Sequence, residues 1–211
     1  MLSELPATQQ IELFTKWLSY FDIACLDSAT CSTSHRTELH KVLSMSECYF
    51  EEQMTIYSSA AATWIMKRNL NLRDVELTYG FLMSNSDRTA LLGCIGKSIK
   101  TLELSWGWDD PYEEETLPYD EICFDICRKC PNLEAIKIQD ATLDGVLSLF
   151  IANSKNLREL SLRSCTNITN CILAACCSST SLRALHINDC KINIITIIII
   201  ITMNPCNKRE R

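Results

Sequence analysis

The sequence predicts an α/β fold: a horseshoe-shaped solenoid with a parallel sheet on its concave side and helices outside, preceded by a small helical segment. Three observations predict it. One apolar template recurs five times between residues 72 and 190. Helix-spaced apolar stripes fill the stretches between its copies. The first forty-five residues lack the template and carry a helical pattern of their own.

In chain order, Leu5-Pro6 opens the first segment, residues 1–45. Pro6 suits a first helical turn, where no N–H partner is needed. Ile11, Phe14, Leu18 and Phe21, with Trp17, form an apolar stripe at helical spacing. Ile23, Leu26 and Ala29 predict a second short helix with Asp22 as its cap. Leu39, Val42 and Leu43 predict a third helix over Arg36 to Leu43. Ser44 to Ala62 is expected to be helical as well, so that residues 46–71, including Trp64 to Arg68, make a helical linker and N-terminal cap.

Residues 72–191 carry the repeats. The copies are NLRDVELTYG from Leu72, SIKTLELSWG from Ile99, NLEAIKIQDA from Leu133, NLRELSLRSC from Leu157 and SLRALHINDC from Leu182. All fit apolar-x-x-apolar-x-apolar-x-x-small, with anchors spaced by 27, 34, 24 and 25 residues. The apolar-x-apolar pair, such as Leu160 and Leu162, is a short strand with one buried face. Helical stripes follow: Ile122, Cys123, Ile126 and Cys130; Leu143, Val146, Leu147, Phe150 and Ile151; Ile168, Ile172, Ala175 and Cys176. Each unit is too small to bury its own apolar face, so stacked units must share one core. The last template position holds Gly80, Gly107, Ala141, Cys165 and Cys190, where a small side chain suits a tight inward turn.

These five copies resemble the leucine-rich repeat family, in its cysteine-containing class. Leu5-Pro6, Ile11, Phe14, Leu18, Asp22-Ile23 and Leu26 resemble an F-box, although Cys31 to Arg36 departs from that family's later signature. The resemblance implies that Leu5, Pro6, Ile11, Phe14, Leu18, Asp22, Ile23 and Leu26 contact a Skp-type adaptor. It also implies a cullin complex around the chain and an unknown protein substrate held by the repeats. The expected function is non-catalytic substrate recognition in a cullin–RING ubiquitin ligase. The alternative is a plain repeat scaffold for protein–protein contact, with the N-terminal helices acting only as a cap.

Composition narrows the classes. The chain has 211 residues, 47% of them hydrophobic, enough for a sizeable core. Thirteen cysteines stand beside only 5 glycines and 5 prolines. No basic segment followed by an apolar run opens the chain, so no secretory signal is expected and the cysteines read as reduced thiols packed as small apolar groups. The expected compartment is the cytoplasm, with the nucleus as the alternative. A net charge of −6 disfavours nucleic acid, and no apolar stretch has the length of a membrane span.

The outward strand positions are the candidate substrate surface: Glu76 and Thr78, Glu103 and Ser105, Lys137 and Gln139, Glu159, Ser161 and Arg163, and His186. Seven acids and no base lie between residues 109 and 121, beside Trp106 and Trp108. That run reads as a solvated loop or as one that steers a basic partner. Cys123, Cys127 and Cys130 lack a fourth zinc ligand nearby and read as helix packing, so no metal or other cofactor is expected. No nucleophile signature surrounds any cysteine near His35, His40 or His186, so no catalytic residue is expected. Eight isoleucines in residues 192–201 open an Ile-rich tail, 192–211, where a repeat array would carry a polar cap; it reads as a low-complexity end, with a buried helix or strand closing the last unit as the alternative.

Overall fold

A computed structural model of the chain describes residues 5–30, 32–45, 48–50, 53–79, 84–106, 119–143 and 145–192. Helix α1 (Ala7–Glu12) runs into one π-helical turn, Leu13–Trp17. Leu18 is extended, and α2 (Tyr20–Ala29) then begins. The predicted stripe therefore spans two helices. Asp22 is not the cap of the second. Ser19 caps it, accepting from the Asp22 N–H, while the Asp22 carboxylate accepts from the Ser19 N–H at 3.0 Å. This reciprocal box satisfies two otherwise unpaired donors, which is why the helix starts there. Helix α3 (Thr33–Leu43) starts three residues earlier than expected and buries Leu39, Val42 and Leu43.

The region expected to be helical over Ser44 to Ala62 holds two strands, β1 (Tyr49–Phe50) and β2 (Met54–Ile56), before α4 (Ser59–Arg68) begins. Met54 and Ile56 are buried on either side of the half-exposed Thr55, a period of two that suits a strand. Ser58 ends the extended stretch by accepting from the Ala61 N–H, a side-chain cap.

Then follow β3 (Asn71–Leu72), β4 (Asp74–Tyr79), α5 (Asn85–Ile95), β5 (Thr101–Trp106), α6 (Tyr119–Lys129), β6 (Ala135–Gln139), α7 (Val146–Asn153), β7 (Glu159–Arg163), α8 (Asn170–Ser178) and β8 (Ala184–Asn188). The architecture is α/β. Six strands form one parallel sheet in the order β2-β4-β5-β6-β7-β8, while β1 pairs with β3. Helices occupy the connections, and each of α4 to α8 touches the next. That is what parallel pairing demands, because each strand must be regained by a crossover.

The template positions pair with one another. Val75, Leu102, Ile136, Leu160 and Leu185 form one row across the sheet, and Leu77, Leu104, Ile138, Leu162 and Ile187 form the next. Met54 and Ile56 of β2 extend both rows by one strand. These rows pack against the helical stripes in one continuous core that reaches from Phe14 to Cys176. Each buried Leu or Ile contributes about 1.5–3 kcal/mol relative to exposure.

Side chains repeat their hydrogen bonds from unit to unit. Asn132 donates to the Lys97 carbonyl at 2.8 Å, and Asn156 donates to the Pro131 carbonyl at 2.9 Å. Asp140, Ser164 and Asp189 all have left-handed backbone, directly before Ala141, Cys165 and Cys190. The thiol of Cys165 donates to the Ile138 carbonyl at 3.4 Å and that of Cys190 to the Leu162 carbonyl at 3.5 Å. The small position is thus a turn stapled to the preceding strand. Gly80 and Gly107, the acidic residues 109–115, Trp108 and the isoleucine run beyond Ile192 lie outside the described residues.

Candidate functional site: the exposed face of the sheet

Alternation along each strand turns every second residue away from the core. The parallel register then lines those residues up. Glu76, Glu103, Lys137, Ser161 and His186 form one row; Thr78, Ser105, Gln139, Arg163 and Asn188 form the next. Glu159 lies one row nearer the strand starts, opposite Ala135 and Ala184. All ten candidate substrate residues therefore share one continuous surface.

Hydrogen bonds organise one half of that surface. Thr55 donates to Glu76 at 2.8 Å, and Ser105 reaches its other oxygen at 3.4 Å. Gln53 donates to Glu103 at 3.0 Å, and the Lys137 ammonium lies 3.6 Å from the same oxygen. On the other half, His186 Nε2 lies 3.7 Å from Glu159. Arg163 has no side-chain hydrogen bond or ion pair among the described residues.

At the strand starts, a cleft of about 360 Å³ is lined by Arg73, Lys100, Glu134 and Arg158 together with Asp74 and Glu159. Lys100 pairs with Glu134, and Arg158 lies 4.0 Å from it. The Lys100 hydrogen bond, aided by the nearby charges of Lys100, Arg158 and Arg73, holds the Glu134 carboxyl below the usual carboxylate range.

The eight N-terminal candidates divide by burial. Phe14 and Ile23 are 1% and 0% exposed, packed into the chain's own core. Ile11, Leu18 and Leu26 are half-buried against it. Leu5, Pro6 and Asp22 are exposed, and Phe21 beside them is 66% exposed.

One polar centre forms around a residue not singled out from the sequence. Asp27 of α2 is 1% exposed. It accepts from His40 at 3.0 Å, from Trp64 at 3.2 Å and from Arg68 Nε at 2.8 Å. Arg36 donates to the Asp27 carbonyl, and Arg68 lies over the Trp64 ring, 5.6 Å from its centroid. Burial raises the Asp27 carboxyl, but bonds from His40, Arg68 and Trp64 outweigh it and hold the group below its ordinary value. The only sequence signal is an acid beside the buried face of an apolar helix.

Cys48, Cys130, Cys165 and Cys176 are buried, and burial pushes their thiols up, that of Cys130 to about 12. Among the described residues no group of three or more His, Cys, Asp or Glu side chains is placed to hold a metal ion. No helix among them is long and apolar enough to cross a membrane. The chain matches no protein-family model, and comparison with curated proteins finds no match.

Proposed function

We propose that the sheet and its helices are a leucine-rich-repeat solenoid, and that the chain is a non-catalytic substrate-recognition subunit of a cullin–RING ubiquitin ligase of the Skp–cullin–F-box type. The supporting observation is the polar row Glu76, Glu103, Lys137, Ser161 and His186, carried by five parallel strands in register. A broad polar surface on a rigid sheet suits a protein ligand. The exposed Leu5, Pro6 and Phe21 give the N-terminal helices apolar surface for a Skp-type adaptor. Cullin subunits would then supply the ubiquitin-transfer machinery to a protein bound on the sheet.

The second reading is a repeat scaffold with no ligase role. It draws on the burial of Phe14 and Ile23, which spend two of the adaptor candidates on the chain's own core. Co-purification separates the two. The receptor reading expects the tagged chain to bring down a Skp-type adaptor and a cullin, and Leu5→Ala with Leu18→Ala to release both. A wild-type chain that recovers neither overturns the ligase role and leaves the scaffold.

A further inference from the structure

We propose that the sheet face takes an extended protein segment laid across the strands, with a basic side chain over Glu76 and Glu103 and an acidic side chain four to five residues away at Arg163. This deepens the proposed function and rests on its sheet-face half.

The charges on this face are unevenly divided, with acids alone over the first two strands and the outward cations over the last three. Over β4 and β5 the outward charges are Asp74, Glu76 and Glu103. The groups bonding to Glu76 and Glu103 from Thr55, Ser105 and Gln53 are neutral donors, which orient the carboxylates without cancelling their charge. Over β6 to β8 the outward charges are Lys137, Glu159 and Arg163, with His186 beside them. Glu159 faces His186, and Lys137 leans toward Glu103, so of the outward cations carried by β6 to β8 Arg163 has no partner among the described residues.

The remaining cations near the face do not blur this pattern. Arg73, Lys100 and Arg158 gather around Glu134 at the strand starts, and Arg183 follows Arg158 in the same position before β8, all outside the two central rows. The Lys137–Glu103 pair is 46% and 21% exposed, a surface contact that an incoming cation can replace.

Geometry sets the spacing. Glu76 and Arg163 are three strand intervals apart across the sheet and two residues apart along it. At ~4.8 Å per interval and ~3.3 Å per residue that is about 16 Å, the length of four to five residues of extended chain. A segment carrying one sign throughout would meet like charge on one half, which complementary interfaces avoid.

Random twelve-residue peptides displayed on phage and selected on the full chain test this. The expected result is enrichment of Lys or Arg four to five positions from Asp or Glu, in either chain direction. For one enriched synthetic peptide, Glu76→Lys with Glu103→Lys lowers affinity at least tenfold, and so does Arg163→Glu, with circular dichroism and melting unchanged. Peptides of a single sign, no enrichment, or the same affinity for the variants overturns the proposal. If the adaptor still co-purifies in that case, the receptor reading stands while this ligand class falls. Bipolar enrichment without adaptor recovery supports the ligand class and removes the ligase role.

Discussion

Asp27 and Arg68, forty-one residues apart, hold each other across the junction between the N-terminal helices and the first helix of the α/β layer. Both Nε and Nη2 of Arg68 donate to one Asp27 oxygen, while the other oxygen takes His40. The carboxylate of α2 sits in the core with its charge met from α3 and α4. That is the condition under which a buried charge is tolerable. The arrangement ties the N-terminal helices to the α/β layer.

Asp27→Asn keeps the shape and removes the charge. The expected cost is about 3 kcal/mol, the low end for breaking a buried pair, because Arg68 and Arg36 keep 19% and 44% of their exposure to water. The measurement is urea unfolding, with a lower midpoint and an unchanged slope.

Acid stability reads the same contact. The folded Asp27 carboxyl lies below its ordinary 3.8, so its contribution is complete above that value. As pH falls, the unfolded chain takes the proton first, and the contribution is lost as pH drops through the folded value. Asp27→Asn should show a shallower loss of stability below pH ~4. Some slope remains, since Glu134 and Asp87 are lowered by their own hydrogen bonds.

Leu160 and Leu185 occupy one row of the sheet, but Leu160 is 0% exposed and Leu185 is 39% exposed. Leu160→Ala should cost about 2–5 kcal/mol, with the cavity term included. Leu185→Ala should cost well under half of that. Thermal unfolding of both variants compares them directly.

Much of this is legible in the sequence because a parallel register converts spacing into position. Leu72, Ile99, Leu133, Leu157 and Leu182 start equivalent stretches, so the outward residues of five strands follow from the template alone. β2 is not legible. Met54-Thr55-Ile56 carries the period of two, but three residues are too few to set a period apart from a helical pattern, and its partner Val75 lies 21 residues on. The Asp27 centre is hidden for a related reason. Its partners sit 13, 37 and 41 residues away, beyond any local pattern. Asp22 resembles a cap because the box it completes uses the same residue types, with Ser19 in the first role.

Thiol chemistry offers an independent check on the packing. Cys25, Cys171 and Cys177 are exposed, while Cys48, Cys130, Cys165 and Cys176 are buried with thiols pushed up to between about 11 and about 12. Thiolate is the reacting form. Alkylation of the native chain at neutral pH, followed by peptide mass spectrometry, should label the first three rapidly. The other four should label only on unfolding.

The proposed receptor role requires apolar side chains of the N-terminal segment to dock a Skp-type adaptor. Titration calorimetry of the purified chain against a purified adaptor measures that contact, with Leu5→Ala plus Leu18→Ala as the comparison and melting curves as the folding control. The expected result is saturable one-to-one binding, weakened at least tenfold in the variant while its fold persists. No heat of binding from a folded wild-type chain, or equal affinity for the variant, would contradict it.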